Sequence, residues 1–154
     1  MELESTDPSG PAVLDEDFVV GAVCTHLAGR GYEIRQRLTT KQRGIDIIAV
    51  KAAVTWWVEA KGATSTRRGS PRFGSAFDAA QVFDRVAKGV YTALALRGDP
   101  ARPPGARIGV AFPQLPAFES QIRRVASALR EMEITIFLVD PHGRVTTDER
   151  LPSS

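Results

Sequence analysis

The chain has 154 residues, a net charge of +2 and a composition typical of a globular protein. One cysteine, Cys24, excludes an internal disulfide and a zinc cluster of several thiolates, and two histidines argue against a histidine-rich metal site. A bound metal would therefore be a hard cation held by oxygen ligands.

The chain ends and the absence of long apolar runs predict a cytoplasmic protein with one domain. No apolar run is long enough to cross a membrane, and the acidic, polar N-terminus does not resemble a signal peptide. Residues 1–12 and 149–154 lack hydrophobic periodicity and are predicted to be flexible tails. The length fits a single domain over residues 13–148.

The first elements are a helix and a strand. Between Asp15 and Arg30 apolar residues recur at helical spacing, at Val19, Val20, Val23 and Leu27. Asp15 or Asp17 could cap the start of this helix, and Gly31 is placed to end it. The alternation of residues 31–37 then predicts a strand.

Two apolar strands follow, rich in β-branched and aromatic residues, at 45–50 and 54–58. Residues 62–75 have the composition of a loop. A long helix is predicted at about residues 76–96, and its spacing predicts that Phe83, Val86, Val90 and Leu94 form the buried stripe.

The second half of the chain predicts a strand at 106–112, an amphipathic helix at 118–132 and a buried strand at 134–139. The element order is therefore αβββαβαβ. This order predicts an α/β sandwich with a mixed sheet, in which the early strands pair as hairpins and the later ones run parallel.

The candidate catalytic residues are found by counting along the hairpin of residues 45–50 and 54–61. With Ala52 and Ala53 as a two-residue turn, Lys51 pairs with Val54 and, further out, Asp46 falls opposite Glu59. Lys61 lies two residues beyond Glu59 and so projects from the same face. The turn lacks the Asn-Gly or Asp-Gly signature of tight hairpins.

Two opposed carboxylates repel each other unless a positive charge lies between them or one is protonated. The expected solution is Mg²⁺ or Mn²⁺, since such hard ions are held by carboxylates, waters and phosphate oxygens. The ion would activate a water molecule, and Lys61 would orient that water or offset charge in the transition state.

These residues resemble the PD-(D/E)XK nuclease superfamily. Gly44-Ile45-Asp46 and Glu59-Ala60-Lys61 match its Asp…Glu-x-Lys signature, with Ile45 in place of the proline. The similarity is greatest to Mrr-like restriction endonucleases and Holliday-junction resolvases. It implies the restriction endonuclease-like fold, a three-layer α/β/α sandwich, and metal-dependent hydrolysis of phosphodiester bonds in DNA.

The resemblance also implies further site residues. Asp46, Glu59 and the backbone carbonyl of Ala60 would bind the metal, and Gln81 would position the water or a phosphate. The acid that many relatives carry in the first helix has no unambiguous counterpart; Glu16 is the first choice and Asp17 the alternative.

Basic residues near this motif are candidate DNA contacts, since phosphate backbones are bound by arginine and lysine patches. Those in the loops are Arg43, Arg67, Arg68 and Arg72, and those on the second helix, at helical spacing with Gln81, are Arg85 and Lys88.

Three questions stay open at the level of sequence. The fold could carry a non-catalytic nucleic-acid-binding module, or a nuclease subunit that acts only within a larger defence or repair complex. A nuclease of this size often acts as a homodimer that cuts both strands, but no sequence feature decides the oligomeric state. The DNA shape and sequence that it prefers cannot be predicted.

Overall fold

In the computed structural model, residues 14–63 and 78–148 are described, and they form an α/β structure around one six-stranded mixed sheet. The helices are α1 (Glu16–Gly29), α2 (Ala79–Arg97), α3 (Pro116–Arg123) and α4 (Ala126–Glu131). The strands are β1 (Glu33–Arg37), β2 (Ile47–Lys51), β3 (Val54–Ala60), β4 (Arg107–Pro113), β5 (Ile134–Val139) and β6 (Val145–Thr147).

The strands lie in the sheet in the order in which they occur in the chain. Short connections join β1 to β2, β2 to β3 and β5 to β6, and these three pairs are antiparallel. Helices connect β3 to β4 and β4 to β5, and these pairs are parallel, because a parallel pair needs a long crossover connection. The predicted mixed sheet, with hairpins first and parallel strands later, is confirmed.

Helices cover both faces of the sheet. Buried residues of α1 pack against one face in a cluster that includes Trp56, whereas those of α2, α3 and α4 pack against the other face with Trp57. Adjacent residues of a strand point to opposite faces, so the two tryptophans lie in the two halves of the core. The restriction endonuclease-like assignment remains a prediction.

The β2–β3 hairpin has the predicted register. Ala52 and Ala53 form its turn, Lys51 pairs with Val54, and the pairing continues to Ile47 opposite Val58. Ala52 has φ 52°, a left-handed conformation that glycine and asparagine adopt more easily. The hairpin therefore forms without the usual turn residues, at the cost of one unfavourable backbone conformation.

The predicted buried stripe of α2 is wrong at two positions. The residues of α2 that are buried are Val82, Val86, Gly89 and Ala93, whereas Phe83 is 55% exposed and Leu94 is 40% exposed. Three of the four core-facing positions lie one residue earlier than predicted, and Val86 belongs to both sets.

The element order differs from the predicted one at two places near the C-terminus. The helix predicted at 118–132 is broken between α3 and α4, where Arg124 and Val125 donate hydrogen bonds three residues back rather than four. The strand β6 was not predicted. The backbone N–H groups of His142 and Arg144 donate to Asp140 Oδ1, and this turn brings Val145 opposite Val139.

The predicted tails, residues 1–12 and 149–154, lie outside the described residues. Within residues 14–63 and 78–148, none of the helices has the length and apolar character needed to cross a membrane.

Candidate active site

The carboxyl groups of Asp46 and Glu59 meet at the open end of the β2–β3 hairpin. Ile47 pairs with Val58, so Asp46, which directly precedes β2, lies opposite Glu59. The two side chains share a hydrogen bond. Asp46 is only 9% exposed and Glu59 only 7% exposed, so bulk water screens the pair poorly.

Backbone contacts hold Asp46 in place although it lies outside the strand. Its Oδ2 accepts a 2.9 Å hydrogen bond from Ala60 N, and its backbone carbonyl accepts a 2.9 Å bond from Leu38 N. Just before it, the Gln36 side chain donates to the carbonyl of Ile45 at 2.7 Å. The bond from Ala60 could not be predicted from residue types, because it involves a backbone N–H group.

Lys61 joins the carboxyl pair from the end of β3. Its Nζ lies 3.1 Å from Glu59 Oε2, and its side chain is 14% exposed. Helix α2 approaches the lysine closely at Gly89, where a β-carbon would lie 3.2 Å from Lys61 Cγ and 2.8 Å from the ring of Phe112. The hydrocarbon part of the lysine is therefore enclosed between α2 and the sheet.

Glu16 approaches this group from the start of α1. A β-carbon at Gly62 would overlap the backbone of Asp15 and Glu16, and Ala63 N donates a 2.6 Å hydrogen bond to the carbonyl of Leu14. The chain after β3 is thus packed directly on the first residues of α1. Glycine is required at residue 62 because no side chain fits there.

Of the two candidate acids of the first helix, Glu16 is the one that interacts with the carboxyl pair. The pKa of Glu16 rises to about 7, first because of burial and then because of the charge of Asp46, while Lys61 and Arg85 oppose the rise. Asp17 is exposed and lines a separate cavity of about 410 Å³ beside Arg37 and His142. Asp15 caps α1 by accepting from Phe18 N at 2.8 Å.

The carboxyl pair favours binding of a proton. Burial raises the pKa of Glu59 to about 7; the charge of Asp46 adds to this rise and the Lys61 ammonium opposes it. Burial also raises the pKa of Asp46, against the hydrogen bond from Ala60 N, the bond with Glu59 and the charge of Lys61. One proton between the two carboxyls removes the repulsion that two buried charges would create.

The remaining predicted site residues have different surroundings. Gln81 belongs to the capping box of α2: its Oε1 accepts from Asp78 N at 2.8 Å, and its own N–H donates to Asp78 Oδ1 at 3.0 Å. Arg85 acts electrostatically on Glu16, whereas Lys88 is exposed and pairs with Asp84 at 3.0 Å. The catalytic role of Gln81 stays a prediction. The capping box uses Oε1 of its side chain, so Nε2 is the atom that could contact a water or a phosphate.

The predicted DNA contacts in the loops fall into two groups. Arg43 is exposed in the loop that joins β1 to β2, three residues before Asp46. Arg67, Arg68 and Arg72 lie outside the described residues.

The site suits a hard divalent ion in its donor chemistry. Across residues 14–63 and 78–148, no group of three or more His, Cys, Asp or Glu side chains is arranged to hold a metal. Mg²⁺ needs only one or two carboxylates, because waters and substrate phosphates complete its coordination. Asp46 and Glu59 fit this requirement, since a cation bound between them would relieve their repulsion as a proton does.

No protein-family model matches the chain, and no curated protein matches its sequence.

The raised pKa of Glu59 predicts that the metal-free protein loses stability as pH rises. A carboxyl whose folded-state pKa lies above its ordinary value stabilises the fold at low pH, and this contribution is lost as pH rises through about 7. We expect Glu59→Gln to remove the part of this loss that Glu59 contributes, whereas Glu16, whose pKa also rises to about 7, keeps its own part. The measurement is urea unfolding in EDTA at about pH 5 and about pH 8. The unfolding free energy of the wild type should fall between these pH values by on the order of 2 kcal/mol more than that of Glu59→Gln.

Glu131→Gln is the matched control, because Glu131 is exposed at the end of α4. It should follow the wild-type pH dependence. Equal pH dependence in all three proteins would contradict the buried, coupled state of Glu59.

Gly62→Ala should destabilise the protein by about 1–3 kcal/mol, because the added methyl group would displace the start of α1. Gly29→Ala is the control: no atom lies within 4 Å of its β-carbon position, and alanine favours the helix by up to about 1 kcal/mol. Urea denaturation measures both variants. A Gly62→Ala protein as stable as the wild type would show that α1 and the end of β3 are not in close contact.

Proposed function

We propose that the protein is a metal-dependent DNA endonuclease of the PD-(D/E)XK type. The observation that supports this proposal most strongly is the buried, hydrogen-bonded pair of Asp46 and Glu59 with Lys61 Nζ 3.1 Å from the glutamate. A surface salt-bridge cluster would be exposed and weakly coupled. Two acids and a lysine kept together at low exposure instead have the character of a functional site.

Asp46 and Glu59, with the backbone carbonyl of Ala60, would hold Mg²⁺ or Mn²⁺. When bound, such an ion supplies Lewis acidity toward a phosphate oxygen and lowers the pKa of a coordinated water. Asp46 is fixed for this role by the hydrogen bond from Ala60 N. Glu16, whose pKa is raised by burial and by the charge of Asp46, would act as a supporting acid.

Lys61 would act on the attacking water and on the negative charge that develops at the phosphate. In hydrolysis the water oxygen forms a bond to phosphorus, and the bond from phosphorus to one ester oxygen breaks. The enclosure of the Lys61 stem by Gly89 and Phe112 keeps its ammonium group at the carboxyl pair. A fixed positive charge in a poorly hydrated site stabilises such a transition state more strongly than a mobile one.

The DNA backbone would bind along the basic residues next to the carboxyl pair. Arg43 precedes Asp46 in the β1–β2 loop, and Arg85 is close enough to lower the pKa of Glu16. Lys88 would exchange its partner Asp84 for a phosphate, and Gln81 would offer Nε2 to a water or phosphate. These contacts carry no sequence information by themselves.

Cleavage of labelled plasmid, linear duplex and four-way-junction DNA tests the proposal. Wild-type protein should cut at least one of these substrates with Mg²⁺ or Mn²⁺ and none in EDTA. Asp46→Asn and Lys61→Ala should each reduce the rate by roughly a hundredfold or more, because each removes a group that contacts the metal or the reacting atoms. The preferred substrate would separate a junction resolvase from a general endonuclease.

Arg130→Ala is the control for the loss of one positive charge, because Arg130 is exposed on α4. Its activity should match that of the wild type. Activity that survives in Asp46→Asn and Lys61→Ala would disprove the assignment, and salt-sensitive DNA binding without cleavage would favour a binding module.

A further inference from the structure

Helix α2 carries an apolar surface that the described part of the chain leaves exposed. Large exposed hydrophobic residues on α2 are Phe83 (55%), Tyr91 (75%) and Leu94 (40%). Together with Ala87 and Val90 they form, against Gln121, Arg124 and Val125 at the end of α3, a groove of about 460 Å³. Contiguous apolar surface of this kind marks interaction sites in soluble proteins.

The exposed residues form a regular stripe. Phe83, Ala87, Val90 and Leu94 follow one another at steps of four, three and four residues, which is the spacing of a helix-pairing seam. The buried positions of α2 have the same steps one residue earlier, from Val82 onward. A shift of one residue rotates a position by about 100° around the helix axis. Helix α2 therefore has one apolar face toward the sheet and a second apolar face next to the first.

We propose that this stripe, Phe83 to Leu94, is a homodimer interface in which α2 of two copies pack antiparallel about a two-fold axis. The spacing of the stripe residues, four, three and four, is the same whether it is counted from Phe83 or from Leu94. An antiparallel copy therefore places Phe83 opposite Leu94 and Ala87 opposite Val90, each pair occurring twice by symmetry. The small side chain of Ala87 next to the axis lets the helices approach closely.

Polar residues at the edge of the stripe can also form hydrogen bonds between the two copies in this antiparallel arrangement. Asp84 and Tyr91 border the stripe on its outer side and are both exposed. In the antiparallel pair, Tyr91 of one copy lies beside Asp84 of the other, where the phenol can donate a hydrogen bond to the carboxylate. Asp84 Oδ2 also lies 3.0 Å from Lys88 Nζ of its own helix, which offsets the negative charge of the carboxylate.

The exposed aromatic side chains supply part of the area that a stable dimer interface needs. Aromatic side chains bury roughly 150–250 Å² each, so the exposed parts of Phe83 and Tyr91 amount to about 250 Å² per copy. That is about a third of the roughly 800 Å² that each partner contributes to an interface of standard size. Aromatic residues are also enriched among the interface residues that contribute most of the binding energy.

Pairing through the stripe would leave the candidate active site open. Gln81, Arg85 and Lys88 lie on the opposite side of α2 from the stripe, given about 100° per residue. The dimer inference thus does not depend on the proposed nuclease activity, and its test needs neither DNA nor metal.

Sedimentation velocity over a wide range of concentration tests the interface. Wild-type protein should form a dimer of 16.7 kDa chains. Phe83→Asp and Tyr91→Asp should each weaken it roughly thirtyfold or more, because each buries a charge in place of an aromatic anchor. Met132→Asp is the matched control, since Met132 is 45% exposed but lies outside α2, and it should leave the dimer intact.

Crosslinking tests the arrangement of the helices. The one natural cysteine, Cys24, is buried, so an introduced cysteine reports alone. A short bismaleimide should join two copies of Ala87→Cys but not two copies of Thr92→Cys, whose position is on the polar side of α2. A wild-type monomer at every concentration, a dimer that survives both aspartate variants, or a dimer without the Ala87→Cys crosslink would overturn the proposal.

Discussion

The contact between two buried carboxyl groups, Asp46 and Glu59, is the constraint on which the candidate site depends. The register of the β2–β3 hairpin forces them together, and the hydrogen bond from Ala60 N keeps Asp46 from turning away. Because both are shielded from water, their repulsion must be relieved by a proton, by Lys61 or by a cation. The fold thus maintains a locally unfavourable arrangement, which is common at functional sites and uncommon elsewhere.

Close approaches of backbone to backbone and of backbone to side chain assemble the rest of the site around this pair. At Gly62 the end of β3 contacts the start of α1 and brings Glu16 within electrostatic reach of Asp46. At Gly89 helix α2 contacts the stem of Lys61. These contacts join both helical layers to the β2–β3 hairpin, so that a change in the position of either helix would alter the electrostatic surroundings of the carboxyl pair.

The central hairpin could be predicted from the sequence because the length of the turn determines which residues of the two strands pair. A two-residue turn at Ala52 and Ala53 places Asp46 opposite Glu59. The buried stripe of α2 could not be predicted. The buried set Val82, Val86, Gly89 and Ala93 has the same spacing as the larger apolar residues Phe83, Ala87, Val90 and Leu94, and only tertiary packing selects between the two sets. The choice between Glu16 and Asp17 depended on the tertiary contact at Gly62. The turn residues Asp140 to Gly143 are a local sequence signal for the hairpin that ends in strand β6.

The central claim is that the carboxyl pair exchanges its proton for a divalent cation, and calorimetric titration with Mn²⁺ tests it most directly. The full chain would be titrated at about pH 6.5 in two buffers of different ionisation enthalpy, since metal binding to protonated ligands releases protons. The account predicts saturable binding with net proton release, abolished by Asp46→Asn. Absence of binding, or binding that Asp46→Asn leaves unchanged, would contradict it.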